Sequence, residues 1–147
     1  PKVPNFTNKD QDFEIGKGVK LIDGDDVTIV ATGHLVWEAI ECAEKLKNEG
    51  ISTELINIHT IKPLDEKIIL ESVSKTKCIV SAEEHNIIGG LGESISRLIV
   101  NRNLVPMEFV AVQDSFGESG TPKELMKKYQ LSNENIYTKC KTVISRK

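Results

Sequence analysis

The sequence has too few cysteines, spaced too far apart, for a disulfide framework or a metal site. Its 147 residues include three cysteines, Cys42, Cys78 and Cys140, an odd number without a C-x-x-C pair. Cys42 and Cys140 fall at apolar positions of predicted helices, and Cys78 opens an apolar predicted strand. A free cysteine in such a setting behaves as a small hydrophobic side chain. We therefore predict three reduced, buried and structural thiols.

The sequence also lacks a basic cluster and a long apolar run. Its net charge of −3 comes from interspersed residues of both signs, so neither a nucleic acid nor a membrane is the expected partner. No apolar run approaches the roughly 20 residues that a membrane-spanning helix needs. No signal peptide is visible either. We expect a soluble, cytoplasmic protein.

Metal-binding and nucleotide-binding motifs are missing as well. The three histidines, His34, His59 and His85, do not have the spacing of metal ligands. Residues 23–26, Asp-Gly-Asp-Asp, resemble half of a cation loop but have no glutamate at the required distance. No Gly-Lys-Ser or Gly-Lys-Thr phosphate loop is present. We predict no metal site and interpret residues 23–26 as a hairpin turn.

What the sequence does contain is an alternation of strands and helices. The run Val27 to Ala31 is apolar and β-branched, which is typical of a strand buried on both faces of a parallel sheet. The predicted strands are 17–22, 27–31, 53–58, 77–82 and 107–112. The predicted helices are 34–49, 65–75, one after the glycines at 89–92, 122–129 and one from residue 132. Such alternation requires right-handed crossovers. The predicted fold is α/β: a doubly wound, mostly parallel five-stranded sheet with helices on both faces and one antiparallel edge strand.

Two predicted helices have chemically marked starts. Asp65 can cap the second helix, and Leu64 and Ile69 are spaced for a hydrophobic staple. Thr121 and Glu124 have the spacing of a capping box, with a proline between them at the first helical position.

The first twelve residues differ from the rest. Residues 1–12 contain two prolines, asparagines and charges without an apolar period. We interpret them as a linker from an upstream domain, with residues 13–147 as the domain itself. The chain begins at Pro1 without an initiator methionine, so we expect it to be a fragment of a longer protein.

Three polar segments follow predicted strands. Gly89-Gly90-Leu91-Gly92 could cradle a phosphate at a helix start, but Ile95 stands where the dinucleotide fingerprint needs glycine. We favour close backbone packing or an interface turn there. For Glu83, Glu84 and His85 we favour hydrogen bonding or an interdomain contact over catalysis, because successive strand side chains point in different directions. The loop at 113–120 is either functional or an irregular connector that Phe116 anchors to the core.

Several segments together resemble the C-terminal domain of the transketolase family. Asp26 to Gly33 is similar to its opening strand and turn, Ile61 to Asp65 to its central connection, and Glu83 to Gly92 to its glycine-rich loop. These motifs also occur in β subunits of 2-oxoacid dehydrogenases and in deoxyxylulose-phosphate synthases, which stay open as alternatives. Phe116 to Gly120 and the residues after it resemble transketolase in particular. A stand-alone module that binds a regulatory metabolite is a further alternative.

The resemblance implies a role in ketol transfer between sugar phosphates, as in pentose phosphate metabolism. Thiamine diphosphate and magnesium would lie on upstream domains or on an N-terminal subunit. This chain is then expected to bind no cofactor, to hold no catalytic residue and to be inactive alone. It would contribute domain packing and dimer assembly, in a complete enzyme that is a homodimer. The candidate contact residues are Glu84, His85, Gly89, Gly90, Gly92, Phe116, Gly117, Ser119 and Gly120.

Overall fold

A computed structural model describes residues 4–7 and 13–147 of the chain. Of the predicted linker, only residues 4–7 are among them, so the linker stays a prediction. The strands are β1 Val19–Ile22, β2 Val27–Ala31, β3 Thr53–Asn57, β4 Ile79–Asn86 and β5 Met107–Val112. The helices are α1 Leu35–Asn48, α2 Glu66–Thr76, α3 Leu91–Arg102, α4 Pro122–Lys128 and α5 Asn133–Ile144. Within the described ranges, no helix has the length and apolar character needed to cross a membrane.

The five strands form one sheet in the order β1-β3-β2-β4-β5. β2, β3, β4 and β5 are parallel, and β1 pairs with β3 in the antiparallel direction at one edge. All five residues of β2 are buried, because helices cover both faces of the sheet. The predicted α/β class, the mostly parallel sheet and the antiparallel edge strand are confirmed.

Two apolar layers enclose the sheet. One contains the inward residues of α1 and α5 together with one face of the strands, and the other contains those of α2 and α3. All three cysteines are free and buried within the first layer, as predicted. Burial raises the pKa of Cys78 to about 11, so its thiol stays protonated at neutral pH.

The predicted hairpin at residues 23–26 is wrong. β3 lies between β1 and β2, so residues 23–26 cross the end of β3 instead of joining two paired strands. Gly24 makes this crossing possible. A Cβ at Gly24 would lie 2.2 Å from the carbonyl carbon of Thr53, a distance that no side chain tolerates.

Both predicted helix starts are confirmed. Asp65 Oδ1 accepts a hydrogen bond from the Ile68 amide at 3.3 Å, and Leu64 and Ile69 pack in the same apolar layer. Asp65 Oδ2 also accepts from the Gly18 amide at 2.9 Å, which fixes the chain before β1 to the start of α2. At α4, Thr121 and Glu124 form the reciprocal capping box.

β4 extends beyond its predicted end at Ala82. Its pairing with β5 shifts register after Ala82 and resumes at Asn86, which lies opposite Val112. Residues 83–86 are polar, so no apolar pattern indicates that the strand continues through them. The extension carries the candidate residues Glu84 and His85 on a strand rather than on a loop.

The buried carboxylate of Glu54 makes stability depend on pH. Only 1% of this residue is exposed, and Lys75 and the Gly24 amide donate hydrogen bonds to Oε2. Burial raises the pKa of Glu54, but these hydrogen bonds and the charge of Lys20 lower it by more, and the net shift is downward.

A lowered folded pKa means that this contribution to stability is present above the unfolded pKa, about 4.3, and is lost as pH falls through the folded value. Urea unfolding from pH 7 down to pH 3 should therefore show a loss of stability with acid that is smaller in Glu54→Gln. The exposed Glu71→Gln variant is the control and should keep the wild-type slope. An unchanged slope in Glu54→Gln would contradict this assignment.

Candidate functional site

The carboxyl ends of β2 and β4 meet at the point where the sheet changes its winding direction. The helix after β2, α1, packs on one face, and the helix after β4, α3, packs on the other. In open α/β sheets the crevice for ligands and contacts lies at such a switch point. We call this side of the sheet the carboxyl edge. It consists of the segments that follow the four parallel strands and of residues 13–18, which precede the antiparallel β1.

A cavity of about 280 Å³ lies at the switch point. Residues 32–34 after β2 form one side of it, and the end of β4 with the glycine loop forms the other. Four of the candidate contact residues line it: Glu84, His85, Gly89 and Gly90. The structure thus brings the turn after β2, with His34, next to the end of β4 and the glycine loop.

Glu83 differs from its two neighbours in burial and in partners. It is 1% exposed, and its carboxylate accepts hydrogen bonds from the amides of Leu91 at 2.7 Å and Gly92 at 2.8 Å. A Cβ at Gly90 would lie 2.1 Å from Glu83 Oε2. Glu83 therefore fills the anion position at the start of α3, and the glycines allow it to approach. This is the close packing that the sequence analysis favoured over a phosphate cradle.

Glu84 and His85 are exposed at the carboxyl edge. His85 Nδ1 donates a hydrogen bond to the carbonyl oxygen of Asn86 at 2.9 Å. Neither side chain belongs to a group of three potential metal ligands among the described residues. Their position suits a contact, and the interdomain role remains a prediction.

Asn86 links the two candidate loops, and the sequence analysis missed it. Its Oδ1 accepts from the Ile88 amide at 2.8 Å, and its Nδ2 donates to Asp114 Oδ1 at 3.1 Å. Asp114 is the second residue of the loop after β5 and lies 28 positions away along the chain. No spacing rule connects residues that far apart, so the sequence contained no signal for this pair.

The loop after β5 does not use Phe116 as an anchor. Phe116 is 97% exposed, so the interpretation that it anchors the loop to the core is wrong. The loop is instead attached through its backbone, because Tyr129 donates a hydrogen bond to the Phe116 carbonyl at 3.1 Å. An ion pair between Lys128 and Glu118 holds its second half. The aromatic ring projects into solvent, and the candidates Gly117, Ser119 and Gly120 are exposed with it.

The large apolar side chains that are exposed to solvent are concentrated at the carboxyl edge. Seven are exposed among the described residues, and five of these lie on this edge: Phe13, Ile15, Ile61, Ile88 and Phe116. The other two, Val100 and Leu104, lie on α3 and just before β5. Several exposed apolar side chains on one edge are typical of a contact surface, and the contact role of this edge remains a prediction.

The described residues do not fit a metal-bound diphosphate. They contain no group of three histidine, cysteine or acidic side chains placed to hold a metal ion. Glu83 occupies the start of α3, and Asp26 at the opposite edge accepts from the Ser52 amide at 2.7 Å.

Comparison with known protein families shows which family the chain belongs to. The family described as "Transketolase, C-terminal domain" matches residues 16–136. The chain belongs to this family. The match confirms the resemblance found in the sequence, and it covers every strand, α1 to α4 and the first turn of α5.

Three transketolase-related proteins are similar to the chain over most of its length. It is 40% identical over 140 residues to the 6-deoxy-6-sulfo-D-fructose transketolase subunit of Clostridium sp. (strain MSTE9), covering 95% of the chain and 44% of that protein. It is 46% identical over 125 residues to a Methanocaldococcus jannaschii protein provisionally named transketolase C-terminal section, covering 84% of the chain and 39% of that protein.

A solved structure of a split-gene transketolase, described as an inactive β4 tetramer, superimposes with a TM-score of 0.95 at 37% identity. The superposition covers 99% of the chain and 48% of the solved one. The chain therefore spans less than half the length of each of these three proteins.

Proposed function

We propose that this chain forms the C-terminal part of a transketolase and docks through its carboxyl edge onto the part that bears the cofactor. The observation that carries this proposal is the set of five exposed apolar side chains on one edge of the sheet. The family membership supports it, as do relatives named as transketolase subunits or sections. Those names do not favour a dehydrogenase β subunit, a deoxyxylulose-phosphate synthase or a stand-alone regulatory module.

The proposed reaction of the complete enzyme is transfer of a two-carbon ketol unit from a ketose phosphate to an aldose phosphate. Thiamine diphosphate with magnesium supplies the carbanion chemistry and is held by the upstream part. This chain contributes a rigid docking surface, since its edge loops are held by Glu83, Asn86 and Tyr129. A homodimer of the complete enzyme and a place in pentose phosphate metabolism are parts of the same proposal. Its free cysteines suit a reducing compartment such as the cytoplasm.

Reconstitution tests this function. The upstream part is produced separately and assayed for ketol transfer with thiamine diphosphate and magnesium, with and without this chain. Activity is expected only when both are present, and calorimetry should detect no binding of thiamine diphosphate to this chain alone. Binding by the chain alone, or full activity of the upstream part without it, would contradict the proposal. Consumption of pyruvate as donor would point to the deoxyxylulose-phosphate synthase alternative.

A further inference from the structure

A second cavity adjoins the one at the switch point and lies between the β3–α2 connection and α3. Its volume is about 930 Å³, which is within the size range of sites for small organic ligands. One wall is the connection with Lys62 and Pro63, and the other is the face of α3 that includes Arg97 and Arg102. Leu64 and Leu98 add apolar surface. The cavity therefore combines an apolar body with positive charge.

The charges around this cavity are unbalanced. Lys62, Arg97 and Arg102 line it, and Glu66 is the one carboxylate among the lining residues. None of the three cations has an ion-pair partner within residues 4–7 and 13–147. Two of the three arginines in the sequence are here, whereas the third, Arg146, pairs with Glu108.

Arginine side chains suit phosphate groups. The guanidinium group is planar and presents paired N–H donors that match the oxygens of a phosphate, and it stays charged at any physiological pH. An arginine without an acidic partner among the described residues has these donors available for a ligand. Ser94 and Asn101, on the same face of α3, add neutral polar groups for the rest of the molecule.

We propose that this cavity binds a small organic phosphate ester, with Arg97 and Arg102 as the phosphate-binding residues and the apolar wall against the body of the ligand. The site does not depend on the transketolase assignment. One wall of the cavity, residues 61–64 with Gly89, belongs to the carboxyl edge that is proposed for docking. The other wall, which carries both arginines, lies along α3 beyond that edge. The mixed apolar and cationic lining favours a small amphipathic anion over an acidic protein segment.

Calorimetric titration of this chain tests the site with ribose 5-phosphate, ribose and inorganic phosphate as probes. The chain has its own closed apolar layers on both faces of the sheet, so it can be studied by itself. Ribose 5-phosphate is expected to bind, inorganic phosphate to bind more weakly, and ribose not to bind. Amide chemical-shift changes in nuclear magnetic resonance spectra should be confined to residues 61–66, Gly89 and α3.

Charge variants give the sharper test. Arg97→Gln and Arg102→Gln should each weaken binding on the order of tenfold, because each removes a charge-assisted hydrogen bond. Glu66→Gln should tighten binding a few-fold, since it removes the negative charge from the cavity. Arg146→Gln, the same change at a distant arginine, should leave the affinity unchanged. Circular dichroism confirms folding of each variant.

Three outcomes would overturn the proposal. The first is no binding of either phosphate at millimolar concentration. The second is equal affinity in Arg97→Gln, Glu66→Gln and the wild type, which indicates non-specific anion binding. The third is an absence of phosphate binding combined with weaker association of Arg97→Gln with the upstream part, which assigns the cavity to an acidic protein segment.

Discussion

Replacing Glu83 by alanine is expected to lower the free energy of unfolding by about 3 to 5 kcal/mol. The substitution leaves the amides of Leu91 and Gly92 without an acceptor in a buried site. Each buried unpaired amide costs about 1 to 3 kcal/mol, and loss of the negative charge at a helix start adds a smaller amount. Since domains of this size are stable by about 5 to 15 kcal/mol, the variant should lose a large fraction of its stability.

Urea unfolding followed by circular dichroism measures this effect. The matched control is Glu84→Ala, which removes the same side chain at the next, exposed position and should change stability by less than about 0.5 kcal/mol. Glu83→Gln should be intermediate, because it keeps the volume and one acceptor oxygen but loses the charge. Equal stabilities of Glu83→Ala and Glu84→Ala would show that the carboxylate does not hold α3.

The close approach of Glu83 to Gly90 determines which property a substitution at Gly90 would test. Its added Cβ would collide with the Glu83 carboxylate, so Gly90→Ala should also destabilise the fold. A loss of activity in that variant would then reflect folding and not an interface. Tests of docking need exposed side chains instead.

Replacing Phe116 by serine is expected to weaken association with the upstream part of the enzyme by about 2 kcal/mol, on the order of thirtyfold in Kd. Phe116 is the most exposed large apolar residue among those described and lies on the proposed docking surface. Aromatic side chains of this kind dominate the energy of interfaces when a partner covers them. The stability of the isolated chain should not change, because the ring makes no contact with the apolar core.

Leu104→Ser is the matched control for this experiment. Leu104 is 78% exposed but precedes β5 and so lies at the opposite end of the sheet. Sedimentation velocity with the upstream part should show weaker association for Phe116→Ser and for Ile88→Ser, and wild-type association for Leu104→Ser. An equal loss in all three variants would indicate that the carboxyl edge has no special role.

Most elements could be predicted because their signals are local. The bounds of β2 and β5 are as predicted, since each is a continuous apolar or β-branched run between polar turns. The starts of α2 and α4 were also predicted, because a cap and its amide lie within three residues of each other. The end of β4 was not, since its last residues are polar and pair with a strand about 26 positions later.

The candidate site could be predicted in part. The glycines and polar residues after β4 and β5 indicated the two loops correctly. They did not indicate which hydrogen bonds hold these loops in place. The role of Glu83 depends on a helix start eight positions later, and the link between Asn86 and Asp114 spans 28 positions. The sequence left open whether Phe116 anchors its loop or is exposed, because an aromatic residue in a loop is compatible with both an anchor and a contact, and the structure excludes the anchor.

The sequence by itself determined the α/β class, the family, the burial of the cysteines and the position of the main helices and strands. These depend on periodicity, caps and motifs that act over a few residues. Tertiary structure alone decided that β3 separates β1 from β2, and that five exposed apolar side chains from distant segments share one edge. The physical reason is that strand order and surface neighbours depend on pairings between residues tens of positions apart, which no local pattern records.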